Sequence, residues 1–239
     1  MTWYREWFGE DYLELYAHRD EGEAEAHVGF VEAVLAPGRP RAVLDLACGA
    51  GRHTAVLRRR GHRALGLDLS LHLLARSPEL PRVRGDMRAL PFAAGSFDWV
   101  LNFFTSFGYF ESERENFQVL EEIVRVLAPG GGLFFDFLNL DRVLAELQAS
   151  ESAEIDGQRV EIERRYDAGS RRLVKRIRLS RPGSPARTFL ESVRAYREEE
   201  VVNGLRWAGL EVNGRYGNFQ GEAFHRDSER LILVGRRPA

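Results

Sequence analysis

Two hydrophobic rhythms divide the chain. Up to about residue 140, short, mostly apolar runs alternate with stretches of helical spacing. The runs are Val43 to Leu46, Ala64 to Leu67, Phe97 to Leu101 and Leu133 to Leu138, and Arg82 to Met87 reads as a further short strand ending in Asp86. Runs this short, without polar alternation, predict strands covered on both faces. Between them, Val28, Val31, Val34 and Leu35 line one side of a helix that Asp20 and Glu23 open in the manner of a capping box. A second helix spans about Gly51 to Arg60 and stops at Gly61. Ser70 caps a short third one before Pro78, and Phe117, Leu120, Ile123, Val124 and Leu127 mark a fourth from Glu113. Strands alternating with helices predict a parallel, doubly wound sheet.

Near residue 153 the period changes to two. Arg159 to Tyr166, Arg171 to Ser180 and Ala186 to Tyr196 alternate apolar and polar positions, separated by the turns Asp167–Ser170 and Pro182–Pro185. An antiparallel β insertion with one solvated face is expected. Glu198 to Ala208 returns to helical spacing, and Leu210 to Phe219 and Glu229 to Arg236 read as two closing strands. The expected fold class is α/β: a mostly parallel seven-stranded sheet with helices on both faces, plus the insertion. The expected organisation is an N-terminal helical lid segment over 1–36, a main domain over 37–150 and 197–239, and the insertion over 151–196. Pro37 to Pro40 separates the lid segment from the first strand.

Composition narrows this picture. With 239 residues, 44% of them hydrophobic, the chain can bury one good-sized core. A net charge of −2 carries no global nucleic-acid signal, and the arginines of the insertion are interleaved with acids. The single cysteine excludes an internal disulfide and a cysteine-rich metal cluster, and no metal site is expected. No apolar run reaches the roughly 18 residues of a membrane span, and no apolar leader follows Met1. A cytoplasmic protein, a monomer or homodimer, is the plain expectation.

The candidate chemistry gathers after the first strand. In Asp45-Leu46-Ala47-Cys48-Gly49-Ala50-Gly51 the two glycines permit a tight turn close to a ligand, and the helix that follows offers unpaired N–H groups. Asp45 sits near the carboxyl edge of its strand, where open α/β sheets bind ligands. Asp68 ends the second strand 17 positions beyond Gly51, about where an acid meets ribose hydroxyls in a nucleoside-binding βαβ unit. Asp86 could accept from an adenine amino group, with Met87 packed on the ring. Thr54 stands where a dinucleotide fingerprint has its third glycine, which lowers an NAD reading. Tyr12, Leu15 and Tyr16 share a helix face that either packs on the core or covers the cofactor, with Arg19 beside it.

These stretches, with Leu67-Asp68-Leu69-Ser70, Gly85-Asp86-Met87, Phe97-Asp98-Trp99-Val100 and Val126 to Gly131, resemble the class I, Rossmann-like S-adenosylmethionine-dependent methyltransferases. The resemblance covers roughly residues 40 to 140 and the closing strands, and the insertion looks like that of the small-molecule type. It implies that Asp45, Ala47, Gly49 and Gly51 line the methionine portion of the cofactor. It implies Asp68 on the ribose, Leu69 against adenine, and Asp86 and Met87 at the adenine edge. Asn102 and Phe103 would close over the methionine end, with Tyr12, Tyr16 and Arg19 covering its carboxylate.

The expected activity is methyl transfer to an N or O nucleophile of a small metabolite, releasing S-adenosylhomocysteine. An RNA or protein methyltransferase and a non-catalytic adenosyl-ligand binding module are the alternatives. Asn102-Phe103-Phe104-Thr105 lacks the Pro-Pro element common in nucleobase amine methyltransferases, so nucleic acid is disfavoured as acceptor. His53, Tyr109 and His225, with Glu222, are candidate bases, and none stands out from sequence.

Overall fold

The computed structural model describes residues 2–17, 20–35 and 41–239. Three helices come first: α1 (Trp3–Trp7), α2 (Glu10–Leu15) and α3 (Glu21–Leu35). The α/β alternation follows as β1 (Ala42–Leu46), α4 (Arg52–Arg59), β2 (Arg63–Asp68), α5 (Leu71–Leu74), β3 (Arg82–Arg84), β4 (Phe97–Asn102), α6 (Glu113–Val126) and β5 (Leu127–Leu138). After α7 (Leu140–Ala145) come β6 (Ser150–Ile155), β7 (Gln158–Asp167), β8 (Arg172–Ser180) and β9 (Arg187–Arg194). The chain closes with α8 (Glu198–Trp207), β10 (Glu211–Tyr216) and β11 (Arg230–Arg236).

The seven-stranded sheet has the order β10-β11-β5-β4-β1-β2-β3. Its strands are parallel except β11, which runs antiparallel to both β5 and β10. Strand order reverses between β1 and β4, and an open α/β sheet leaves its crevice outside the carboxyl ends of the strands at that point. Side chains of β1 alternate across the sheet. Val43 packs with Val28, Val31 and Val56 on the α3/α4 face, whereas Leu44 and Leu46 pack with Leu120, Ile123 and Leu205 on the α6/α8 face. The expected α/β class, with helices on both faces, is the fold observed.

Strands β6 to β9 form a separate antiparallel sheet. It has one strand more than the alternating pattern announces. The sequence Ser-Glu-Ser-Ala-Glu-Ile of β6 is polar because it lies at the edge and is solvent-exposed along most of its length. On the solvated face, Arg165 pairs with Asp167, Arg176 with Glu163 and Arg178 with Glu161. That mixed charge is a solvated surface rather than a basic stripe.

Trp3 and Trp7, at 6% and 1% exposure, sink into the inner face of this small sheet beside Val160, Ile162, Ile177 and Leu179. Burying a Trp side chain contributes at least the roughly 1.5–3 kcal/mol of a buried Leu or Phe, so α1 is anchored to the insertion. Toward the main sheet the bonds are sparser: Ser70 Oγ donates to the Phe8 carbonyl at 2.7 Å, and Glu10 pairs with His72 and Arg76. No helix among the described residues is long and apolar enough to cross a membrane.

Candidate active site

A cavity of about 270 Å³ opens at the carboxyl ends of β1, β2 and β4 and is roofed by Tyr4, Phe8, Tyr12, Leu13 and Tyr16. Its floor is the turn between β1 and α4. Ala47, Gly49 and Gly51 all take positive φ there, at 60°, 59° and 83°. Such φ values are routine for glycine and cost alanine about 1 kcal/mol or more, strain that collects at functional sites. The turn is tied to β2 by Cys48 N–H donating to the Leu67 carbonyl at 3.0 Å.

Asp68 joins two turns. Its Oδ2 accepts from Gly49 N–H at 2.9 Å and its Oδ1 from Ser70 N–H at 2.8 Å. Burial raises its carboxyl above the usual range despite these bonds. Asp45, 1% exposed, accepts from Thr54 Oγ1 at 2.6 Å. Burial pushes Asp45 up to about 6, and the Asp68 charge adds to the rise. Thr54 thus has a task of its own. Where a dinucleotide fingerprint has glycine, its hydroxyl braces Asp45 and it packs against Gly66 of β2.

Two poorly hydrated carboxylates beside one cavity make it favourable for a cation. The folded state binds more protons at Asp45 than the unfolded state between about pH 4 and pH 6, so stability falls as pH rises through that window. Asp45→Asn is therefore expected to stabilise the unliganded protein by roughly 1–2 kcal/mol at pH 8 and to flatten its stability between pH 4 and 6, while weakening ligand binding. Urea titrations at pH 4.5 and 8 check this, and an Asp45→Asn protein less stable than the native one at pH 8 contradicts it.

Ala47, Gly49, Asp68, Leu69, Asp86, Met87, Phe103, Tyr12 and Tyr16 all border the cavity with Asp45. Two expected residues do not. Gly51 stands behind the turn, where a Cβ would come within 2.9 Å of Leu80, so close packing and the left-handed N-cap of α4 account for it. Asn102 is 1% exposed and cross-links the strands, its Nδ2 donating to the Leu46 carbonyl at 3.3 Å. Asp86 borders the cavity but is already gripped by its neighbour. Burial acts to raise its carboxyl, but hydrogen bonds from Arg88, the shortest 2.6 Å, outweigh this and hold it below the usual range. Arg19 lies outside the described residues.

The candidate bases separate. His225 is exposed and off the cavity, its Nδ1 accepting from Asp227 N–H at 3.3 Å, and Glu222 is exposed as well. The loop before β11 carries them to the surface rather than to the crevice. Tyr109 borders the cavity, and burial raises its phenol so far that it keeps its proton. His53 borders the cavity and is 4% exposed. The Cys48 thiol is raised by burial and inert. Among the described residues no group of His, Cys, Asp and Glu is arranged to hold a metal.

Sequence reasoning missed His27, Asp136 and Arg230. His27 shares the buried face of α3 with Ala24, Val28, Val31 and Leu35, a spacing visible in the sequence. Asp136 is a charge inside the apolar run of β5, and its 0% exposure requires a partner. Arg230 supplies one, Nε to Oδ1 at 2.7 Å.

Fold, glycine turn and paired acids define a class: an α/β protein with a cation-favouring crevice at its switch point. A model described as a methyltransferase domain matches residues 43–131. The chain is 28% identical to the cypemycin N-terminal methyltransferase of a Streptomyces species, over 91% of this chain and 97% of that one. It spans about half the length of several other curated methyltransferases it matches. Among solved structures, the fold is similar to the CcbJ methyltransferase of Streptomyces caelestis, with TM-score 0.79, 21% identity, and 91% and 90% of the two chains covered. It is also similar to SAM-bound CalS10, an amino pentose methyltransferase, with TM-score 0.72, 21% identity, and 95% and 97% covered. Residues 43–131 carry a methyltransferase domain, and the fold is that of the class I S-adenosylmethionine-dependent methyltransferases.

Proposed function

We propose that this methyltransferase moves a methyl group to an N or O nucleophile of a small molecule that enters beneath the aromatic lid. The observation that carries the reading is the pair Asp45 and Asp68, two carboxylates raised by burial at the floor of a roofed cavity. The residues present fit S-adenosylmethionine, a cation with a ribose diol. Gly49 has open space before it, with only Leu73 within 4 Å of where a Cβ would stand, and lets the methionine portion approach the backbone. Asp68 takes the ribose hydroxyls, Leu69 and Met87 pack on adenine, and Asp86 takes the adenine edge. Bound there, the cofactor supplies a methyl group made electrophilic by its sulfonium.

The chain's own tasks are alignment and exclusion of water. Tyr4, Phe8, Tyr12 and Tyr16, together with Phe103, Phe104 and Tyr109, wall the space over the turn with apolar surface. Alignment into a near-attack pose supplies several kcal/mol, and a dry wall strengthens the electrostatics around it. Segment 1–36 acts as the lid, with α1 anchored on the insertion. Relatives named as N-terminal and amino pentose methyltransferases favour an amine as acceptor.

Thermal melting tests the cofactor first. S-adenosylmethionine and S-adenosylhomocysteine at about 100 times their dissociation constants should add about 2.7 kcal/mol of stability, and NAD none. A mass-spectrometric screen then offers an amino sugar and a peptide with a free α-amino terminus. No melting shift with either sulfur compound at millimolar concentration rejects the reading.

A further inference from the structure

A groove of about 930 Å³ runs between α6 and α8, on the opposite face of the main sheet from α3 and α4. It shares no lining residue with the cofactor cavity. Gly204 brings its two walls together, because a Cβ there would stand 2.6 Å from the Phe117 ring. Phe117 is half-buried in the groove, and Trp207, which also lines it, is 69% exposed. A tryptophan left in water beside a second aromatic ring is the kind of apolar surface that protein interfaces bury.

The polar residues of this face are arranged as their own complement. On α6, Arg114, Phe117, Gln118 and Glu121 follow at i, i+3, i+4 and i+7, one stripe of the helix, and all four line the groove. A cation stands at one end of the stripe and an acid at the other. On α8, Glu200, Asn203, Gly204 and Trp207 repeat the spacing and line the other wall. Glu113 and Glu200 are held by Arg194, and Arg171 pairs with Glu200 at 2.9 Å. Arg114 and Glu121 are exposed and, among the described residues, enter no ion pair.

We propose that this face docks a second copy of the chain about a two-fold axis, with α6 lying antiparallel on the partner's α6. Arg114 then meets the partner's Glu121, and Glu121 meets the partner's Arg114, so the contact is made twice. A parallel pairing would set like charges against each other. The axis passes between Phe117 and Gln118 on α6 and between Asn203 and Gly204 on α8. Those two midpoints are already neighbours in one copy, where Gly204 packs on Phe117. The same axis carries Trp207 over the partner's Glu200 and the partner's Arg171, where the indole face can meet a guanidinium. The proposal is independent of the cofactor reading.

Sedimentation velocity from about 1 to about 200 µM tests it. The expected result is a monomer–dimer equilibrium with a dissociation constant of about 1–100 µM, as suits a face only two helices wide. Arg114→Glu and Glu121→Arg should each weaken the dimer at least about tenfold, because like charges then meet twice across the axis. Mixed in equal amounts, these two variants should associate with each other about as tightly as the native chain does, since every 114–121 pair again has opposite signs. Trp207→Ala should weaken the dimer about tenfold. All three positions are exposed, so melting temperatures in dilute solution should stay within about 2 °C of native, which shows that the variants fold. A native chain that is monomeric at about 200 µM overturns the proposal. So does a dimer that both charge variants form as tightly as the native chain, and so does a mixture of the two that fails to associate.

Discussion

Arg230→Ala should cost about 3–5 kcal/mol of stability and lower the melting temperature by about 10 °C. The reason is Asp136, which has no exposed surface and sits near the carboxyl end of β5. One of its oxygens takes the Arg230 guanidinium at 2.7 Å, and the other takes Phe104 N–H, also at 2.7 Å. Removing Arg230 strands a buried charge whose desolvation has already been incurred. The same pair holds the loop after β4. Phe104 and Thr105 both lie in the left-handed region, at φ 55° and 61°. That is about 1–2 kcal/mol of strain for each, which only the surrounding bonds can hold. Thr105 N–H donates to the Asp136 carbonyl at 3.1 Å, and Arg230 Nη2 reaches Thr105 Oγ1 at 3.1 Å.

The double variant Asp136→Leu with Arg230→Met separates stability from function. Apolar replacement of a whole buried ion pair is often neutral or stabilising, so most of the lost stability should return. Ligand affinity should not return, because Phe104 N–H still lacks its acceptor and the cavity wall relaxes. Urea unfolding paired with calorimetric titration of S-adenosylhomocysteine reads both quantities. A loss below 1 kcal/mol in Arg230→Ala would show that the pair does not carry the loop.

Asp68→Ala should weaken S-adenosylhomocysteine binding at least 100-fold. A carboxylate accepting from two vicinal hydroxyls makes two charge-assisted bonds, each contributing about 1.5–3 kcal/mol. Asp68 also braces Gly49 and Ser70, so alanine removes binding and turn geometry together. Asp68→Asn separates them in part: its amide oxygen keeps one of the two turn N–H bonds, and the charge is lost. Its melting temperature without ligand should stay within about 3 °C of native, with affinity still down by tenfold or more. Affinity within threefold of native in both variants would remove Asp68 from the ribose site.

Much of this was legible in one dimension, for a physical reason. Strands covered on both faces must be largely apolar without alternation, and Val43 to Leu46 and Leu133 to Leu138 read as such directly, each with a single acid inside. A turn that passes close to a ligand must relieve Cβ crowding, and Gly49 records that need. β6 was not legible, because an exposed edge strand is held by backbone pairing to β7, and backbone carries no sequence signature. Ala47 misled in a smaller way. It shows no glycine, yet it adopts the glycine-like φ that tertiary bonds impose on it.

The local sequence by itself determined most of the elements, their order, the α/β class and the acids at the strand ends, because periodicity and turn chemistry act between near neighbours. Only the tertiary structure decided which side chains meet. It paired His27 with His53, 26 positions apart, and Asp136 with Arg230, 94 apart. It sent His225 to the surface and moved Gly51 and Asn102 behind the cavity wall. It also seated Trp3 and Trp7 in the β insertion rather than on the main sheet. Those outcomes depend on which buried groups find partners in three dimensions. Burial free energy is a property of the packed neighbourhood and not of spacing along the chain.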